Sequence, residues 1–223
     1  MEHEHIDPSS LSGIDVYRLM TDLVAPRPIA WVSTVSPDGA ENLAPFSYFQ
    51  AMGSRPPTVV LGCGWTRAGK PKDTLRNILN TREFTISHVS DAVAEAMNLT
   101  SVELPTGESE WDYAAGQTAL SSSSAQVVRP PRVAEARASM ECRMVHAIPV
   151  GKTKAGSPAS TIVVGEVVAF TVAPELVRRD ESGHLLPMDP AALGSVGRLG
   201  GIAYTRTEGV FELPRPKPPT QQS

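Results

Sequence analysis

Short runs of apolar and β-branched residues recur along the chain, and this pattern is typical of β-strands. The run at 29–35 is followed by Pro37, Asp38 and Gly39, which suit a tight turn, and then by a second run at 41–48. These two runs predict an antiparallel hairpin. Further strands are predicted at 58–63, 83–88, 139–149 and 161–172.

Helical periodicity is confined to short segments. Apolar residues at helical spacing predict helices at 15–23, 72–80 and 91–97, with Asp73 or Thr74 as the N-cap of the second. Residues 101–124 are predicted to be irregular, apart from a helical turn around 111–113. Because strands dominate, we predict a mainly β fold with short helices, arranged as a closed or partly closed antiparallel barrel.

The ends of the chain differ in composition from the remainder. Residues 1–13 are polar, and residues 214–223 are rich in proline. We therefore expect a flexible N-terminal tail at 1–13, one domain over 14–213 and an extended C-terminal tail at 214–223.

The overall charge narrows the classes of ligand. The 223 residues carry a net charge of −4, so no general attraction to nucleic acid or anionic membranes is expected. Any bound phosphate must then be held by a local site. The N-terminus does not resemble a secretory signal, no apolar run is long enough to cross a bilayer, and the histidines lack partners at metal-ligand spacing. We expect a cytoplasmic protein without a metal site.

A phosphate site is one interpretation of Lys72, Asp73 and Thr74, which open the predicted helix 72–80. Amide groups at a helix start have no intrahelical partner and carry partial positive charge. A lysine and a threonine hydroxyl beside them suit an anion. The alternative is an ordinary helix start beside a solvated lysine.

The predicted hairpin carries a second group of polar residues. Ser33 and Thr34 lie on its first run, with Asn42, Ser47 and the backbone of Ala44, Pro45 and Phe46 on its second. A proline cannot donate to a strand ladder, so Pro45 marks an edge or a bulge where backbone groups can contact a ligand. The alternative is an edge hairpin whose polar residues face water.

One segment has part of a nucleotide-binding motif. Residues 64–70 fit the first seven positions of a P-loop, but Pro71 stands where Ser or Thr should bind magnesium. A nucleoside triphosphatase is therefore a poor interpretation. A basic loop leading to the helix start is the better one.

Several segments together resemble the flavin reductase-like family of FMN-binding split barrels, which includes flavoredoxin. The order and spacing of the motifs carry the resemblance, which spans about residues 14–214. The matching stretches are 26–34, 38–39, 42–47, 56–57, 72–78, 83–84, 96–98, 165–167, 197–201 and Tyr204.

The resemblance implies non-covalently bound FMN, usually at the interface of a homodimer. It places Ser33 and Thr34 along the flavin and ribityl chain. It places Asn42 and the run Ala44, Pro45, Phe46 and Ser47 at the isoalloxazine edge. It places Lys72, Asp73 and Thr74 around the phosphate. Arg27, Asn77, Arg198 and Tyr204 match family positions as well.

The resemblance also implies a function, namely an FMN-binding oxidoreductase that passes hydride or electrons from NADH or NADPH to a small-molecule or protein acceptor. Because the cofactor carries the chemistry, we predict no obligatory acid–base residue. Residues 101–124 and 178–190 are expected on the substrate side. The alternatives are an FMN-binding electron carrier without its own nicotinamide turnover, and a β-barrel interaction module that binds no flavin.

Overall fold

The computed structural model describes residues 1–104, 108–207 and 209–216. Residues 105–107 of the predicted irregular stretch and 217–223 of the predicted tail lie outside the described residues. No α-helix in the described ranges has the length and apolar character needed to cross a bilayer. The α-helices are α1 (Gly13–Leu23), α2 (Asp73–Thr81), α3 (Ala94–Leu99), α4 (Glu110–Ala115) and α5 (Pro190–Leu193), with 3-10 turns at Pro8–Ser10, Asp91–Val93 and Pro174–Leu176.

The strands form one large sheet and two small ones, and every strand pair is antiparallel. The large sheet has seven strands in the order β3-β2-β6-β9-β10-β5-β4, while β1-β11-β12 and β7-β8 form the others. The strands are β1 (Arg27–Pro28), β2 (Ala30–Val35), β3 (Glu41–Phe46), β4 (Phe49–Ser54), β5 (Pro57–Gly64), β6 (Glu83–His88), β7 (Ser122–Ser123), β8 (Arg132–Val133), β9 (Ala138–Val150), β10 (Ser160–Val172), β11 (Val196–Arg198) and β12 (Tyr204–Arg206).

The mainly β, antiparallel class predicted from the sequence is confirmed, and so is the hairpin, formed by β2 and β3. The predicted strand 41–48 was too long, because β3 ends at Phe46. The prediction missed β4, whose residues are mostly exposed and include Gln50 and Gly53. The predicted helix 91–97 is a 3-10 turn followed by α3.

The seven-stranded sheet is strongly curled, but it is not a closed barrel. Its edge strands, β3 and β4, are consecutive in the chain and are joined by only Ser47 and Tyr48. A two-residue link can join opposite edges only if the sheet bends until those edges approach each other. The Tyr48 carbonyl then accepts a hydrogen bond from the amide of Gly62 in β5, at 2.8 Å.

Two apolar clusters pack on the opposite faces of β2. Ala30 and Val32 point into the curled sheet, where Leu75 and Ile78 of α2 fill the interior. Trp31 points outward into a cluster with residues of α3 and α4. Because both faces are covered, all of β2 is buried, although its sequence contains Ser33 and Thr34.

Arg27 connects three distant parts of the fold. Its side chain is only 4% exposed. The guanidinium donates to the carbonyls of Thr21 and Val24 at the end of α1, to the carbonyl of Leu199, and to Ser47 Oγ. Carbonyls at the C-terminal end of a helix favour a cation, which stabilises this buried charge. Arg27 therefore fixes the link between β3 and β4.

Gly165 of β10 is predicted to be intolerant of a side chain. A Cβ at this position would overlap the ring of Phe84, which is fully buried. We expect Gly165→Ala to lower the free energy of unfolding by about 1–3 kcal/mol, because a packed core resists added volume. Guanidinium denaturation measures this change. Gly64→Ala is the control, since a Cβ there meets nothing within 4 Å; equal losses for both variants would contradict the packing argument.

Candidate functional site

A cavity of about 950 Å³ lies where the edge strand β3 meets the start of α2. The loop after β5 and the segment after α3 complete its wall. Its lining includes both apolar and charged side chains. The lining residues are Asn42, Ala44, Pro45, Phe46, Trp65, Thr66, Arg67, Ala68, Lys72, Asp73, Thr74, Thr100, Ser101, Val102, Glu103, Leu104 and Glu110.

Most of the residues predicted from the sequence line this cavity. They are Asn42, Ala44, Pro45, Phe46, Lys72, Asp73 and Thr74. The family resemblance had grouped them around one cofactor, and the structure brings together the hairpin and the helix that carry them.

Three predicted residues, Ser33, Thr34 and Ser47, do not line the cavity. Ser33 Oγ donates to the carbonyl of Pro131 on the outer face of β2. Thr34 Oγ1 accepts from Asn77 Nδ2 of α2 at 3.1 Å. Ser47 Oγ accepts from Arg27 Nε at 3.3 Å. Their side chains therefore hold the fold together, and their predicted contact with a cofactor remains a prediction.

The edge strand β3 presents backbone groups toward the cavity side. The amide of Leu43 points away from β2 and donates to Glu110 Oε2 at 3.4 Å. Residues two apart in a strand point the same way, so the backbone of Pro45 also faces away from β2. Pro45 lies on an edge strand, as predicted, and its missing N–H costs no ladder hydrogen bond.

The start of α2 is the second wall of the cavity. Its N-cap is Lys72, not Asp73 or Thr74 as predicted, and no side chain among the described residues caps it. The first intrahelical bond runs from the amide of Arg76 to the carbonyl of Lys72, at 2.9 Å. The amides of Asp73, Thr74 and Leu75 thus have no partner within the helix. Those of Asp73 and Thr74 are donors at the cavity wall, because both residues line the cavity.

A buried hydrogen bond joins the two walls. Asn42 Nδ2 of β3 donates to Thr74 Oγ1 of α2 at 3.0 Å, and both residues are buried. Buried polar groups of this kind fix relative position, because losing one partner leaves the other desolvated. The helix start is therefore held at a set distance from the strand edge.

Two acidic residues that the sequence analysis did not single out, Glu103 and Glu110, also line the cavity. Glu110 opens α4, where Trp111 and Ala114 are buried, and Glu103 follows α3. Trp111 and Ala114 are three residues apart, and this apolar spacing in the sequence indicates a helix packed by one face. Burial raises the pKa of Glu110. Hydrogen bonds from the backbone amides of Glu110 and Leu43 lower this pKa and partly offset the effect of burial.

The P-loop-like segment is closed on itself. The amide of Thr66 donates to the carbonyl of Lys70, and the amide of Gly69 donates to the carbonyl of Thr66. The amide of Lys70 donates to Thr66 Oγ1. A phosphate-binding P-loop needs such amides free. The structure therefore agrees with the rejection of a nucleoside triphosphatase, while Arg67 of this loop lines the cavity.

Comparison with known proteins identifies the family. The family model described as the flavin reductase-like domain matches residues 23–186. This chain belongs to the flavin reductase-like family. Among curated relatives of this flavin reductase-like protein, an uncharacterized protein of Halalkalibacterium halodurans is 39% identical, covering 95% of this chain and 96% of the relative. An uncharacterized protein of Deinococcus radiodurans is also 39% identical, and the match covers 96% of this chain and 91% of the relative.

Solved structures agree with this family. Component B of nitrilotriacetate monooxygenase from Bacillus cereus has a TM-score of 0.86 and 34% identity, covering 96% of this chain and 100% of its own. The 2-nitrobenzoate 2-nitroreductase of Pseudomonas fluorescens has a TM-score of 0.79 and 30% identity, with 96% of each chain covered. The similarity to these two structures supports the view that this flavin reductase-like protein is an oxidoreductase that uses a flavin.

Glu110 should make the stability of this flavin reductase-like protein pH-dependent. Its raised pKa means that the folded state binds the proton more tightly, so stability falls as pH rises from the unfolded through the folded pKa. We expect Glu110→Gln to have a higher melting temperature than the wild type at pH 7, with the difference vanishing near pH 4. Thermal unfolding across this range measures it.

The control for this prediction is Glu108→Gln, which removes an exposed carboxylate from the segment just before α4. It should leave the melting temperature unchanged at both pH values. A Glu110→Gln variant that is less stable at pH 7 would mean that the ionised carboxylate stabilises the fold.

Proposed function

We propose that this protein is an FMN-dependent oxidoreductase of the flavin reductase type, which uses NADH or NADPH as reductant. The observation that carries the proposal is the cavity in which an uncapped helix start faces an open strand edge. In a chain of this family, one wall then offers amide donors for a phosphate and the other offers backbone groups for a planar ring.

The start of α2 fits a phosphate chemically. The amides of Asp73, Thr74 and Leu75 lack intrahelical partners, and the partial positive charge of the helix start favours an anion there. Thr74 Oγ1 accepts from Asn42, so its own hydrogen can be donated to a ligand. Lys72 adds a cation, which a protein of net charge −4 needs at a phosphate site.

The β3 side fits a planar heterocycle. Ala44, Phe46 and Trp65 supply apolar surface, and the outward-facing backbone of β3 supplies hydrogen-bonding groups. When bound, FMN would supply the hydride-accepting ring and the onward electron transfer. The protein positions the ring and excludes water, so we assign no catalytic acid or base. At about 950 Å³ the cavity is near the upper end for ligand sites, which leaves room for a nicotinamide beside the flavin.

A homodimer and a separate electron acceptor complete the proposal. Helix α1 leaves Ile14, Tyr17, Met20 and Leu23 exposed, and their three-residue spacing makes each one a neighbour of the next in a stripe along the helix. Monomeric proteins rarely expose such a stripe, and a second copy of this chain could cover it. The Bacillus cereus neighbour is named as one component of a monooxygenase. A small molecule or a protein would therefore serve as acceptor here.

The phosphate assignment predicts a selective loss of affinity. The variant Lys72→Ala should bind FMN about 10-fold more weakly, because a charge-assisted hydrogen bond to the phosphate is lost while the buried bond from Asn42 to Thr74 is kept. Riboflavin has no phosphate, so its affinity should change less than about twofold. Flavin fluorescence quenching measures both. The control Lys152→Ala removes a lysine from the β9–β10 hairpin; equal losses for FMN and riboflavin in Lys72→Ala would contradict the assignment.

The oxidoreductase assignment predicts that the wild-type protein oxidises NADH or NADPH when FMN is added. Loss of absorbance at 340 nm measures this turnover. Binding of FMN without turnover of either nicotinamide would leave an electron-carrier protein that another protein reduces. A protein that binds neither FMN nor riboflavin would overturn the proposal altogether.

A further inference from the structure

Glu103 occupies a distinctive place in the cavity wall. It lies on the segment that follows α3, and its Oε1 is 2.7 Å from Nζ of Lys72. Its side chain is 84% exposed, so burial does not hold it there. The hydrogen bond from Lys72 lowers the pKa of Glu103, and the charge of Arg67 contributes in the same direction.

The position of this carboxylate coincides with the cationic part of the cavity. Arg67 and Lys72 are the positively charged side chains in the lining, and Glu103 interacts with both. An anionic ligand at the start of α2 would be attracted to the same two cations. Glu103 thus places a carboxylate of this chain where the charge of a ligand would be expected.

We propose that Glu103 competes with the phosphate of the cofactor for Lys72 and thereby sets how tightly phosphorylated flavins bind. This inference rests on the proposed function. For Lys72 to contact a phosphate fully, its ion pair with Glu103 must open. An exposed ion pair is weak, so a phosphate dianion can displace the carboxylate at small cost. The free energy needed to open the ion pair nevertheless lowers the affinity for a phosphorylated flavin.

The consequence concerns retention of the flavin. When a phosphorylated flavin leaves, Glu103 returns to Lys72 and neutralises the cation that would hold the ligand. Glu103 therefore lowers affinity and speeds release, which favours a flavin that exchanges with solution over one that stays bound. The effect is restricted to ligands with a phosphate, because riboflavin does not compete for Lys72.

The first test compares Glu103→Gln with Glu95→Gln, titrating each with FMN and riboflavin. Glu95 is an exposed acid on α3, so its substitution removes the same charge. Glu103→Gln should bind FMN about fivefold more tightly, the upper end for exposed ion pairs, and should release it correspondingly more slowly. Riboflavin affinity should not change. Glu95→Gln should match the wild type for both ligands.

The second test repeats the comparison in a Lys72→Gln background. Because the competition acts through Lys72, the gain from Glu103→Gln should fall to less than about twofold there. An equal gain in both backgrounds, an equal gain from Glu95→Gln, or unchanged FMN affinity would overturn the inference. These outcomes are distinct from failure of the proposed function, in which the wild-type protein would bind no flavin at all.

Discussion

The short link between β3 and β4 is the constraint on which the rest of the structure depends. Two residues, Ser47 and Tyr48, join strands that lie at opposite edges of a seven-stranded sheet. The sheet must therefore curl, and its interior is filled by Leu75 and Ile78 of α2. The edge of β3 is left unpaired beside the start of this helix. Arg27 donates to Ser47 and ties the link to α1, so the geometry of the cavity follows from the geometry of the fold.

The start of α2 departs from the usual rule for helices in a way that suits a binding site. A Ser, Thr, Asp or Asn at the N-cap stabilises a helix by about 1 kcal/mol, and here Lys72 stands instead. Local departures of this kind are expected where function needs them. The hydrogen bonds from Asn42 to Thr74 and from Asn77 to Thr34 join the helix to the sheet. They fix the position of unpaired amides that the helix itself leaves exposed to the cavity.

Much of the fold could be predicted from local patterns, because β-branched runs and the turn at Pro37, Asp38 and Gly39 act over a few residues. Sheet order could not, since it depends on pairing between distant strands, and the exposed strand β4 lacked an apolar pattern. The candidate site was predicted in part. Ser33 could not be placed from the sequence, because β2 is buried on both faces and its hydroxyl donates to the Pro131 carbonyl; its contact with a cofactor stays a prediction. Residues 101–124 were expected on the substrate side, but Glu103 and Glu110 were not singled out, because only a helical turn around 111–113 was predicted in that segment.

The central claim is that the uncapped start of α2 holds the phosphate of a flavin whose ring lies against the edge of β3. A crystal structure of this protein with FMN tests it most directly. The account predicts phosphate oxygens within hydrogen-bond distance of the Thr74 and Leu75 amides, and the ring beside Ala44 and Phe46. An FMN molecule bound elsewhere, for example in the smaller cavity between Asp91 and Arg206, would contradict it.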